Sequence, residues 1–201
     1  MQALERVHPT KPTAPGQIEK IEFEYKRHGT LCLIANFIVA TGEVFAPTIG
    51  PTRTEDDFVE HIRRTVDSDP GANWIFIADQ LNTHMSEGLV RLVAERCAIG
   101  EDLGGKRKGG ALHSMQIRKE FLEDPTHKIR FVFTPKHCSW MNQIEIWFSI
   151  LVRRVLRRGS FATVDHLRER ILDFIRYFNN VLAKPFKWTF TLSLIHISEP
   201  T

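Results

Sequence analysis

The stretch WIFIADQLNTH, residues 74–84, decides how the rest of the chain is read. WIFIAD is a short apolar run bounded by turn residues, the pattern of a strand buried in a parallel sheet, and it closes on Asp79. In open α/β sheets ligands collect at the carboxyl ends of the strands, so an aspartate in that position is placed for chemistry. A plainer role stands beside this one, because an aspartate after a strand also caps the helix that follows.

Working outward toward the N-terminus, LCLIANFIVATG (31–42) is rich in strand-forming residues and ends in a turn, and EVFAPTIG (43–50) follows it. With the alternating IEFEY (21–25), these segments predict a meander of three antiparallel strands. Residues 1–20 carry prolines and few large apolar side chains, and read as an extended leader outside the core. Thr54 followed by Glu55, Asp56 and Asp57 marks a helix start with acids in its first turn; Phe58, Ile62 and Val66 then repeat at helical spacing until Pro70 and Gly71.

Toward the C-terminus the pattern predicts a helix over about 86–97, a mobile Gly- and Lys-rich loop GEDLGGKRKGG (100–110), a helix over about 112–123 and a strand IRFVFTP (129–135). From Met141 a helix places Ile144, Trp147, Phe148, Leu151 and Val155 on one stripe, runs into the basic cluster RRVLRRG, and is followed by a last helix from Val164 to Ala183. Strands and helices in this order make a mixed α/β layer fold.

The chain has 201 residues and is 42% hydrophobic, enough for one domain with its own core. A formal net charge of +3 does not by itself announce a nucleic-acid binder, so the distribution of charge carries more weight than its sum. Cys32, Cys97 and Cys138 are odd in number and widely separated, which argues for core thiols in a reducing compartment and against a disulfide framework. No stretch has the length of a membrane span and no apolar signal region opens the chain, so a soluble intracellular protein with no membrane partner is expected.

The chemistry-bearing residues are Asp79, Glu145 and the flanking Asn82, His84 and Asn142. Glu145 adjoins the apolar stripe of its helix, which predicts a partly desolvated carboxylate that needs a cation or hydrogen-bond donors. Two carboxylates from separate elements, with further oxygen donors, suit Mg²⁺ or Mn²⁺. The alternative is a glutamate whose carboxylate reaches water past the stripe. Zinc is disfavoured, since no Cys and His residues recur at ligand spacing.

WIFIADQLNTH resembles the second catalytic block of the DDE transposases of the mariner-related insertion-sequence group, a strand-terminal Asp followed by an Asn and a His. TPKHCSWMNQIEIWFSILVRR resembles their third block, in which a Pro-rich entry, an Asn and an Ile-Glu pair precede an aromatic helix. The likeness extends through RHGTLCLIANF, GPTRTEDDF and FKWT, to about Thr191.

That resemblance implies an RNase H-like catalytic domain over 21–191, with a mixed sheet flanked by helices, and Asp79 and Glu145 as its second and third catalytic, metal-binding carboxylates. Asn82, His84 and Asn142 would support them. It implies two Mg²⁺ or Mn²⁺ ions, which in such enzymes stand about 4 Å apart and stabilise the attacking and leaving oxygens of an in-line displacement at phosphorus. DNA would be the partner, as transposon ends and as a TA-containing target, with two copies of the chain acting together in the bacterial cytoplasm, associated with the nucleoid.

Lys136, Arg153, Arg154, Arg157 and Arg158, with Lys106, Arg107 and Lys108 in the loop, would then hold phosphates. For the 153–158 cluster a solvated helix end favourable to the helix dipole is the plain alternative. Trp140 reads as a helix anchor in preference to a base-stacking residue.

The sequence also departs from the family pattern. The first strand and its Asp have no counterpart, and Glu5, Glu22, Glu24 and Glu43 do not occupy the matching motif. The expectation is therefore an N-terminally truncated domain without the family's helix-turn-helix region, inactive as it stands. The insertion holding GEDLGGKRKGG lengthens the interval between Asp79 and Glu145 beyond that of mariner relatives. The ending LSLIHISEPT (192–201) departs from the family and resembles a translated sequencing-adapter artefact. The rival readings are a transposase remnant that binds DNA without cutting it, and an RNase H-like nuclease without strand transfer.

Overall fold

The structure is a computed structural model and describes residues 1–8, 15–16, 24–136, 138 and 141–187. Six strands form three two-stranded ladders among these residues. β1 (Gln2–Arg6) pairs antiparallel with β2 (Tyr25–Thr30), and β3 (Cys32–Phe37) pairs antiparallel with β4 (Val44–Gly50). β5 (Trp74–Ala78) runs parallel to β6 (Ile129–Phe133), with Trp74 opposite Ile129 and Ala78 opposite Phe133.

The helices start where the sequence marks them. α1 (Glu55–Asp67) opens on a capping box in which Thr54 Oγ1 accepts the Asp57 N–H at 3.2 Å and the Asp57 carboxylate accepts the Thr54 N–H at 2.7 Å. Ser86, Ser114, Asn142 and Thr163 cap α2 (Glu87–Arg96), α3 (Met115–Glu123), α4 (Gln143–Leu151) and α5 (Val164–Tyr177). α4 and α5 each run on into a π-helical turn, Val152–Leu156 and Phe178–Leu182. None of the helices among the described residues is long and apolar enough to cross a membrane.

Two hydrophobic clusters hold these elements. The first gathers Ile62 and Val66 of α1, Leu89, Val90, Leu92 and Val93 of α2, Leu112, Leu122, and the inward face of the parallel pair, Ala78, Ile129, Phe131 and Phe133. The second is centred on Trp147, fully buried, and joins Ala3, Leu31, Val44, Leu151, Phe161, Leu167, Ile171, Ile175 and Phe178. The seam between them contains polar contacts. α1 turns its apolar side to the first cluster, while His61 Nδ1 meets Thr48 Oγ1 at 2.9 Å and Thr65 Oγ1 accepts from Asn36 Nδ2 at 2.9 Å across to β3 and β4. Phe45 stacks on Trp74 at the same junction.

Four expectations need correction. The opening residues are not a leader outside the core: β1 pairs with β2, and Ala3 is fully buried because its small side chain lets the second cluster close over the backbone. The strand expected at 21–25 begins at Tyr25 and runs to Thr30, and residues 21–23 lie outside the described part. The strands pair two by two, so the ladders do not make the single mixed sheet that was expected.

The loop 100–110 is a built turn. Gly105 and Gly109 bridge each other, and Leu112 N–H donates to Leu103 O at 3.0 Å, with Leu112 fully buried beneath. Gly110 takes a left-handed φ of +72° there, and a Cβ on it would come within 2.4 Å of Leu103 O. The tail 192–201 and Trp140 lie outside the described residues.

Candidate metal and DNA site

Asp79 follows the last residue of β5, where Thr134 N–H donates to Ala78 O at 2.9 Å and carries the parallel ladder one step past β6. The backbone then turns sharply. Leu81 N–H donates to Asp79 Oδ1 at 3.3 Å, and a 3₁₀ turn over Asn82–Met85 brings His84 back to the same carboxylate. His84 Nδ1 lies 2.7 Å from Asp79 Oδ1 and 3.3 Å from Asp79 O. With both contacts on Nδ1, the neutral ring carries its proton there and leaves Nε2 as an acceptor.

The His84 ring packs on Phe58 of α1, with centroids 4.2 Å apart, so the first core orients the imidazole. Gln80 Nε2 donates to Thr134 O at 2.8 Å and ties the turn to the end of β6. Arg118, a buried arginine on α3, donates from Nε to Met85 O at 2.8 Å and from Nη1 to Leu112 O at 3.3 Å. It therefore clamps the far end of the same turn to the loop before α3.

Phe58, Gln80 and Arg118 had escaped sequence reasoning as parts of this site. Only Arg118 leaves a signal: it sits one helical turn before Leu122, at a position where α3 would otherwise bury an apolar residue.

Glu145 lies in the first turn of α4, two residues after the helix start. The stripe reading holds for its neighbours, since Trp147 and Leu151 are buried and Ile144, Phe148 and Val155 pack against them. The expected desolvation of Glu145 does not hold: its side chain is exposed, because the first turn projects past the packed stripe. No described residue gives its carboxylate a hydrogen bond or ion pair. Asn142 acts as the α4 cap, its Oδ1 accepting from Ile144 N–H at 3.4 Å, and Asn82 is exposed at the start of the 3₁₀ turn.

The carboxylate donors suit a hard divalent ion. Thr134 Oγ1, beside Asp79 just past the end of β6, and Gln143 Oε1, on the first turn of α4, are buried oxygens without hydrogen-bond partners among the described residues. Among the described residues, however, no three His, Cys, Asp or Glu side chains gather closely enough to hold one ion. These residues provide ligand chemistry without completing a metal centre.

Lys106, Arg107 and Lys108 stand exposed on the loop tip, and Lys136 is exposed just after β6. Arg153, Arg154, Arg157 and Arg158 are exposed on the π turn and the residues that follow it. Arg157 also offers its carbonyl to Arg6 Nη2 at 3.0 Å, which fixes that turn to the end of β1. All three cysteines are free thiols.

No curated protein and no solved structure matches the chain. A family model described as DDE superfamily endonuclease matches residues 3–168, a span that holds all of β1 but its first residue, both acidic positions and the start of α5. A strand-end aspartate buttressed by its own histidine and a helix-borne glutamate thus fall inside a match over most of the sequence, and the chain belongs to the DDE superfamily of endonucleases.

Proposed function

We propose that this chain is a transposase catalytic domain of the RNase H-like type, of the mariner-related insertion-sequence group, acting on DNA phosphodiesters with Asp79 and Glu145 as carboxylate ligands of Mg²⁺ or Mn²⁺. The observation that carries this reading is the Asp79 carboxylate at the carboxyl end of the parallel strand pair, held by His84 at 2.7 Å, within a DDE endonuclease match. When bound, such ions stabilise the attacking and leaving oxygens of displacement at phosphorus.

The chain's own residues prepare the ligands. Phe58 and His84 set the direction of the Asp79 carboxylate, Gln80 and Arg118 fix the turn that bears it, and Asn142 sets the first turn of α4 that presents Glu145. Asn82 and the exposed cations of the loop and the π turn complete the proposed DNA-facing set. The family resemblance supports a TA-containing target and two cooperating copies.

A second reading, a remnant that binds DNA without cutting it, is favoured by one observation: no third metal donor accompanies Asp79 among the described residues. Nicking of supercoiled plasmid in Mn²⁺ separates the two. The catalytic reading predicts nicking that is lost in Asp79→Asn and in Glu145→Gln while both variants stay folded. DNA binding with no nicking, and Mn²⁺ binding indifferent to both substitutions, would establish the remnant instead. Joining of a cut end to target DNA distinguishes a transposase from a nuclease that only hydrolyses.

A further inference from the structure

Two adjoining clefts, of about 210 and 320 Å³, lie between the π turn after α4 and the outer side of α5, and both are lined by Arg154 and Arg170. The first continues along Arg158, Gly159 and Ser160; the second continues along Asp173, Phe174 and Tyr177. Arg170, Phe174 and Tyr177 recur at i, i+4 and i+7, so they share one face of α5. Phe174 is anchored beneath, its ring against Trp147 and Phe178. Tyr177 stands half exposed at the end of this row.

The charges are set for an anion. Among the described residues Arg154 and Arg170 form no ion pair, although acidic side chains are plentiful on α5. The one acid lining the clefts, Asp173, is engaged by Arg176. The far wall is held by β1, where Arg6 N–H donates to Ser160 Oγ at 3.0 Å and Phe161 N–H donates to Leu4 O at 2.8 Å. Two uncommitted guanidiniums beside an exposed aromatic ring, on a preformed wall, combine a phosphate clamp with a stacking platform. That pairing is the physical signature of single-stranded nucleic-acid binding, because every base offers a π face while the backbone is tracked by charge.

We propose that this Arg154–Arg170–Tyr177 cleft binds single-stranded DNA, with the two arginines on the phosphates and a base stacked on Tyr177. The proposal rests on the reading of the chain as a DNA-processing domain and names where an unpaired strand would lie, on elements of the second core and apart from the turn that carries Asp79.

The test is fluorescence anisotropy with labelled single-stranded oligothymidylate, and with its oligoadenylate duplex, on the full chain in EDTA so that no cleavage intervenes. The single strand is expected to bind more tightly than the duplex. Arg154→Gln with Arg170→Gln should weaken single-strand binding about tenfold and flatten the log–log salt dependence by about 1.4, from about 0.7 per lost phosphate contact. Tyr177→Ala should weaken it by about tenfold with little change in salt dependence, and Tyr177→Phe should restore it. Unchanged melting temperatures establish that these surface variants are folded.

Single-strand affinity equal to the parent's in the arginine pair or in Tyr177→Ala would overturn the proposal, as would tighter binding of the duplex. The two claims are read by different measurements: single-strand binding in EDTA involves no metal, whereas Asp79 and Glu145 are tested by Mn²⁺-dependent nicking. A failed cleft therefore leaves the Asp79–Glu145 reading standing, and a failed metal site leaves the cleft standing.

Discussion

The two acidic positions of this domain sit on two differently built cores. Asp79 belongs to the first, where parallel strands, α1, α2 and α3 enclose a row of stacked rings, Trp74, Phe76, Phe131 and Phe133. Its carboxylate is held by a histidine, a backbone amide and, through the turn, a buried arginine. Glu145 belongs to the second, where Trp147 is the centre and, among the described residues, the helix itself is the only support. One carboxylate is positioned side chain by side chain. The other is positioned only as well as α4 is.

The difference teaches where each carboxylate is vulnerable: Asp79 to changes in its own contacts, Glu145 to the packing of the second core and to the seam that sets one core against the other. The largest expected effect follows from this. Trp147→Ala should cost about 3–5 kcal/mol by leaving a cavity at the centre of the second core, measured by urea denaturation. Leu89→Ala should cost about 2–5 kcal/mol in the first. At neutral pH both should shift one common transition, because the contacts of α1 and the Phe45–Trp74 stack join the cores. Two separate transitions would break the comparison into two independent units.

Acid should weaken that seam. His61 is buried, and burial first, then the charge of Arg64, lowers its pKa from 6.5 to about 4. The unfolded chain therefore takes up a proton that the folded chain resists. The contribution is fully present above pH 6.5 and is lost as pH falls toward 4, amounting to roughly 3 kcal/mol at the acid end. Melting temperature measured across this window should fall in the parent and fall less steeply in His61→Gln. Next in size, Gly110→Ala should cost about 1–3 kcal/mol, since the added methyl has no room beside Leu103 O. The smallest effect is on ligand placement: His84→Ala should weaken Mn²⁺ binding about tenfold while stability changes little, read by Mn²⁺ titration.

Much of this architecture was legible in the sequence because local signals agreed with it. The Thr54 and Asp57 pair marks the start of α1 on both levels, and the Trp147 stripe packs as its spacing predicts. WIFIA is the parallel strand, although it is not buried on both faces, since Ile75 and Ile77 are exposed. The misreadings share a cause: they depended on partners distant in the chain. MQALER looks too short and polar for a core element until Tyr25–Thr30 supplies its ladder. The glycines of 100–110 look like freedom until Leu112 drops into the first core and the turn closes over it. Asp79 was visible as a strand-end acid, whereas Phe58, 21 positions earlier, and Arg118, on another helix, reach its turn only through tertiary packing.

The most direct test of the central claim, that acids on two cores serve one ion, is a double-mutant cycle on Mn²⁺ affinity with Asp79→Asn, Glu145→Gln and the pair, followed by Mn²⁺ electron paramagnetic resonance. A shared ion predicts that each single substitution weakens binding strongly and that the double variant is scarcely weaker than either. Losses that simply add, or an affinity indifferent to Glu145→Gln, would contradict it.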